Sequence, residues 1–256
     1  MPQRPTEESF ALTYNTPGSK SPLDAIEAYR EYEREWSTSE LGSYAISTRM
    51  ELPRGRVRTW KEGGKPDVVR GIETARENGW LECETDSETF GALNRLVAGV
   101  FSGGSISEKL FTPSFSVPNE SVEAQLRSDL ENLGAGCQMV LSNSGRVEEF
   151  RPESDSSVLG RVLVALGAPA GQKREVDRLP SYLYGSTATA ELRESFVQVY
   201  ISNRAVNRET RDFHQIWEER SERYLDSLAA LIRDVTGVEV WRSNQMVMFH
   251  DAAISD

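Results

Sequence analysis

The chain has 256 residues, 29 Lys and Arg against 40 Asp and Glu, a net charge of −11 and a pI near 4.9. It holds no run of eighteen apolar residues, which excludes a membrane-spanning helix and membrane partners of that kind. Its two cysteines, Cys83 and Cys137, have neither a Cys-x-x-Cys spacing nor a nearby histidine, so they read as reduced thiols of a cytoplasmic chain rather than as zinc ligands. Taken alone, the acidic balance argues against nucleic acid, because phosphates are met by Lys and Arg.

In chain order, residues 1–21 are polar, lack the apolar core of a secretory signal, and read as a flexible arm. A helix is predicted from Pro22 to Trp36, with Pro22 suited to its first turn. Ser37, Thr38 and Ser39 supply cap chemistry for a second helix, whose inward face would be Leu41, Tyr44, Ala45, Thr48 and Met50. Leu52-Pro53 makes a turn, and Pro53 presets a short third helix through Trp60 that Gly63-Gly64 ends. A fourth helix from Asp67 to Gly79 packs through Val68, Ile72 and Ala75, with Trp80-Leu81 closing the unit.

Between Arg49 and Lys65 lie Arg49, Arg54, Arg56, Arg58, Lys61 and Lys65 against only Glu51 and Glu62, a local positive excess on an acidic background. The pattern Leu52-Pro53-x-x-x-Val57-x-x-Trp60 resembles the turn and recognition helix of a helix-turn-helix domain, here over residues 22–85. That resemblance implies that Val57 and Trp60 anchor the helix. It implies that Arg54, Arg56, Arg58, Lys61 and Lys65 face DNA, bidentate Arg to guanine being the commonest base contact.

Residues 88–256 read as two copies of one pattern. The first has an apolar helix, Phe90–Ser102, an extended run, Ser105–Val117, and a helix, Ser121–Leu133. A hairpin comes next, Cys137–Leu141 and Arg146–Phe150 around Asn143-Ser144-Gly145, and then a helix from Ser156 to Leu166. The order recurs as a helix over Leu192–Ser202, an extended run over Arg204–Trp217, a helix over Glu218–Val235 and a hairpin over Val238–Trp241 and Gln245–Phe249. The charged run Glu218, Glu219, Arg220, Glu222 and Arg223 reads as a solvated helix face. His214 and His250 read as ordinary structural residues, and no Walker or dinucleotide glycine loop is present.

Leu96 through Ile106, Gly167-Ala168-Pro169-x-Gly171-x-Lys173 and Leu179-Pro180 resemble the LAGLIDADG homing-endonuclease fold. The resemblance implies an α+β chain: an all-α helix-turn-helix domain, then repeats over 88–185 and 186–256, the second truncated. The leading helices would pack together, with Ala98 and Gly99 allowing close approach, and the two sheets would form a saddle over DNA. Nucleases of that fold place a carboxylate at the foot of each leading helix to share divalent metal. Here Gly103 and Arg204 (or Asn203) take those positions, so the resemblance implies a degenerate site with no catalytic residue, metal or cofactor.

DNA-facing candidates on the saddle are Lys109, Phe111, Ser114, Gln138, Ser142, Asn143 and Arg146 in the first copy, with Lys173 near the centre. In the second they are Arg204, Arg208, Arg211, Trp241, Arg242 and Gln245. The expectation is a sequence-specific duplex-DNA-binding transcription regulator, cytoplasmic and nucleoid-associated, able to form homo-oligomers. The competing readings are a nuclease with relocated acids (Glu108, Glu209 or Asp212), an RNA-binding maturase-like protein, which A-form RNA's hidden major groove disfavours, and an origin or DNA-architecture protein.

Overall fold

A short N-terminal helix ties the helical unit to the remainder of the chain. The computed structural model describes residues 4–15, 21–140, 149–185, 188–207 and 212–250. Helix α1 (Glu7–Ala11) is capped reciprocally by Thr6 and Ser9 and buries Phe10 and Ala11 completely. Residues 4–15 therefore correct the expectation of an arm over 1–21. A five-residue helix is too short to show a 3.6-residue period, yet its one aromatic fills the core. Tyr14 comes next, its ring 5.4 Å from that of Phe10, and the Arg161 guanidinium lies 3.9 Å from the Tyr14 ring and 3.8 Å from the Phe111 ring.

Helix α2 (Pro22–Glu35) starts at a Ser21/Asp24 capping box with Pro22 in its first turn. Helix α3 (Ser43–Arg49) begins later than expected. Ser37 Oγ donates to the Glu33 carbonyl and Ser39 Oγ accepts from Leu41 N–H, so those serines close α2 and shape the loop instead of starting α3. The register shifts accordingly: Ile46 and Ser47 are buried, while Tyr44 is 68% exposed. Helix α4 (Arg54–Lys61) succeeds Pro53 and buries Val57 and Trp60, the latter 5.3 Å from Tyr29 and 5.4 Å from Tyr32. Helix α5 (Asp67–Glu77) buries Val68, Ile72 and Ala75, and Trp80 donates its indole N–H to the Leu133 carbonyl at 3.0 Å.

The remainder is two units with one element order. The first is α6 (Glu88–Ser102), β1 (Ser105–Ile106), β2 (Pro113–Ser116), α7 (Glu120–Asn132), β3 (Cys137–Val140), β4 (Glu149–Pro152) and α8 (Ser156–Ala165). The second is α9 (Ala190–Arg204), β5 (Val206–Asn207), β6 (Phe213–Trp217), α10 (Glu222–Thr236), β7 (Val240–Ser243) and β8 (Met246–His250). Each makes a four-stranded antiparallel sheet with the same strand order, β1-β2-β4-β3 and β5-β6-β8-β7.

The leading helices α6 and α9 pack on each other, as the LAGLIDADG resemblance implies. Asn94 Nδ2 donates to the Leu192 carbonyl and to Ser195 Oγ, both at 2.9 Å, while Tyr182 donates to Asn94 Oδ1 at 2.8 Å. Gly99 serves a different contact from the one expected: a Cβ there would press on the Phe115 ring of β2, 3.2 Å away. The run Ser105–Val117 is not one strand. Phe111 takes a positive φ of 54°, and Ser107 N–H donates to Thr112 O, so β1 and β2 form a hairpin. An aromatic in the left-handed region gives no glycine signal in the sequence.

Candidate nucleic-acid interface

The feet of α6 and α9 meet. Asn203 Nδ2 donates to Ser102 Oγ at 2.8 Å, and a Cβ on Gly103 would stand 3.9 Å from the Asn203 side chain and collide with Ser116 Oγ. Ser105 pairs with Ser114 as Val206 pairs with Gln215, so counting two residues back from each makes Gly103 and Arg204 equivalent positions of the two units.

Around Arg204 the chain gathers a buried charge cluster. Arg204 Nε reaches Glu218 Oε1 at 3.2 Å, and its Nη2 donates to the Trp217 carbonyl at 2.7 Å. Glu218 and Arg220, only 5% and 6% exposed, face each other with Arg220 Nε 3.4 Å from Glu218 Oε2. Tyr200 donates to Glu218 Oε1 at 2.7 Å and lies 3.1 Å from the Tyr224 hydroxyl; burial pushes both phenols up, so they stay protonated. Arg220 Nη2 donates to the Phe101 carbonyl at 2.7 Å at the end of α6, and its guanidinium lies 4.2 Å from the Tyr224 ring. Its Nη1 is buried without a partner among the described residues. Lys173, in the 3-10 turn Lys173–Glu175, joins from the first unit's tail. Burial pushes its ammonium down to about 8, with Arg220 and Arg204 adding to the shift and Glu218 opposing it.

Arg204 and Arg220 therefore bracket one carboxylate, with Lys173 near enough for its charge to be felt. Sequence reading missed Glu218 and Arg220 by placing them on a helix. The usable signal was Ser221, a good N-cap whose hydroxyl accepts from Tyr224 N–H and which leaves both residues in the preceding loop. Gln245, expected to face DNA, instead braces that loop: its carbonyl accepts from Glu218 N–H at 2.9 Å and its Oε1 from Arg220 N–H at 3.1 Å. The divalent metal of LAGLIDADG nucleases does not fit here. Gly103 has no ligand atom, the Asn203 amide is turned toward Ser102, and both Glu218 oxygens are engaged by arginine. Two guanidiniums and an ammonium would repel a dication. Of the three relocated acids, Glu108 is exposed in the β1–β2 turn, Asp212 meets the His250 ring through its backbone carbonyl at 3.0 Å, and Glu209 lies outside the described residues.

The two outer sheet faces differ. On the first, Ser114, Ser116, Gln138, Glu149 and Arg151 share a side, with Ser114 Oγ donating to Glu149 at 2.6 Å and Arg151 3.2 Å from the same carboxylate. Gln138 is exposed and donates to Pro152 O at 3.3 Å. Lys109 is exposed but sits in the β1–β2 turn, off the face. On the second, register puts Val206, Phe213, Gln215, Trp217, Trp241, Ser243, Met246, Met248 and His250 together. Arg242, expected there, points to the other side, where it donates to Glu222 O at 3.1 Å and pairs with Asp226. Asn143, Arg146, Arg208 and Arg211, with Ser142, lie outside the described residues.

On α4, Arg54 is exposed with no partner among the described residues, and Arg56 is half-buried. Arg58 is exposed and pairs with Glu62 at 2.8 Å. Two expected DNA contacts are otherwise engaged. Lys61 donates to the carbonyls of Ser39 and Leu41, holding the α2–α3 loop, and Lys65 pairs with Glu73 at 2.7 Å on α5.

Solved structures similar to the chain include two of DUF199/WhiA. Full-length DUF199/WhiA from Thermatoga maritima is 11% identical with a TM-score of 0.42, matching 68% of this chain to 55% of its own. The N-terminal LAGLIDADG domain of DUF199/WhiA is 12% identical with a TM-score of 0.41, matching 73% of this chain and 87% of its own. The chain thus spans about 55% of the length of the full-length protein it matches. No family model and no curated protein matches the chain. At these TM-scores the likenesses decide nothing about its chemistry.

Proposed function

We propose that the chain is a non-catalytic, sequence-specific duplex-DNA-binding protein of the transcription-regulator type. The observation that carries this reading is the charge at the helix feet. Where a nuclease of this fold would hold carboxylates and metal, Arg204, Arg220 and Lys173 leave a partly desolvated positive surplus, with Glu218 as the anion among them. A cluster of that sign has use for a phosphate oxygen and none for a dication. The helix pair α3–α4 adds Arg54, Arg56 and Arg58 as major-groove readers; an exposed pair such as Arg58–Glu62 exchanges readily for a nucleic-acid contact.

The test is selection of bound fragments from genomic DNA by the purified chain with Mg²⁺, sequencing both the bound fragments and any new ends. Enrichment of one motif with intact ends is expected, and Arg56→Ala with Arg58→Ala should weaken its binding at matched salt. New ends at a fixed position would mean that cleavage survives. Failure to enrich any motif would remove the DNA reading.

A further inference from the structure

We propose that the outer face of β5-β6-β8-β7 is a stacking platform for unpaired bases of a DNA strand whose backbone runs along Arg204. Trp217 is 57% exposed and Val206 54%. Beside them the Phe213 and Trp241 rings lie 5.5 Å apart edge to face, and His250 lies 5.0 Å from Trp241. The strand-paired described residues of this face include no Lys, Arg, Asp or Glu; the exposed Glu239 stands at its rim, just ahead of β7. The fold does not require such a surface, because the corresponding face of the first sheet carries serines, Gln138, Glu149 and Arg151.

A face whose described residues hold no cation gives a duplex backbone little to follow there, and paired bases keep their own faces stacked. Aromatic rings meet base faces only when a base is unpaired or turned out. The charge such a strand needs lies at the rim: Arg204, whose side chain is 35% exposed, donates to the carbonyl of Trp217 itself. Phosphates beside Arg204 and bases over Trp217 and Trp241 reproduce the division between electrostatic groove and aromatic surface that serves single-strand binding.

The backbone half of this inference rests on the phosphate reading of the helix feet; the stacking half does not. The test uses the full chain and labelled sixteen-nucleotide dT and U strands, with a blunt duplex of the same length, read by anisotropy at one salt concentration. Trp217→Ala is expected to weaken single-strand binding about tenfold, Trp217→Phe to restore most of it, and neither to change duplex binding. Tighter binding of U than of dT overturns the assignment to DNA. Unchanged single-strand affinity in Trp217→Ala, with far-ultraviolet circular dichroism intact, overturns the platform. So does a concentration-dependent dimer that Trp217→Ala abolishes, or an equal loss on strand and duplex. Trp217-dependent strand binding alongside a failed duplex selection would keep this proposal and sink the duplex reading.

Discussion

Lys173 shows what the helix feet cost in the free protein. Its ammonium is pushed down to about 8 by burial, then by Arg220 and Arg204, whereas an unfolded lysine titrates near 10.4. Below about pH 8 both states hold the proton and the native state bears the full penalty. Between about 8 and 10.4 the unfolded chain holds more protons than the native one, so stability rises with pH across that window. Lys173→Met should accordingly stabilise the free protein at pH 7 by about 1–3 kcal/mol, the gain fading to nothing by about pH 10.5. Urea unfolding of both proteins at pH 7 and pH 10 reads the difference directly. A variant less stable than its parent at pH 7 would show that Lys173 is held by favourable contacts. The residue was legible in the sequence as a basic position after Gly171. The nearby charge of Arg220 was not, because Arg220 lies in a loop that sequence periodicity assigned to a helix.

At the scale of elements, legibility tracked the caps. Helices α2, α6 and α7 start where Ser21, Ser87 and Asn119 accept a backbone N–H, and their apolar faces are visible as periodic runs, whereas the expected start of α10 at Glu218 falls four residues ahead of its true one because Ser221 caps it. Helix α3 was misplaced because serines that looked like its cap serve α2. Helix α1 was missed because five residues carry no period, though it is among the better anchored elements. Phe10 is fully buried, and α1 lies against both α5 and α8. Replacing Phe10 with Ala should destabilise the chain by about 3–5 kcal/mol, the usual cost of emptying a buried aromatic site. Urea denaturation followed by tryptophan fluorescence checks it, because Trp60 and Trp80 are buried in the same core. A loss below about 1 kcal/mol would return residues 4–15 to the status of an arm.

For the whole molecule, the charge pattern sets a limit on how DNA can be held. The chain carries −11 overall, and several of the described cations the sequence offered for DNA are engaged: Lys65 by Glu73, Arg242 by Asp226, Arg58 by Glu62, Arg204 by Glu218, and Lys61 by two backbone carbonyls. A linear sequence displays such cations as a basic cluster; only the fold shows which carboxylate or carbonyl each one meets. Among the described candidates, Arg54 and Lys109 are exposed and Lys173 lies near the helix feet, with Arg58 and Arg204 available if Glu62 and Glu218 let go. About two to four phosphate contacts imply that log K for duplex DNA falls with log salt at a slope of about −2 to −4, since each neutralised phosphate contributes about −0.9. Anisotropy titrations across a salt series measure it. A slope near −8 would require cations beyond this set, Arg208 and Arg211 first, and would refute the view that the intramolecular pairs persist on DNA. A shallow slope fits an acidic protein well: few released counterions mean affinity that survives high salt, with the discrimination carried by base contacts from α4.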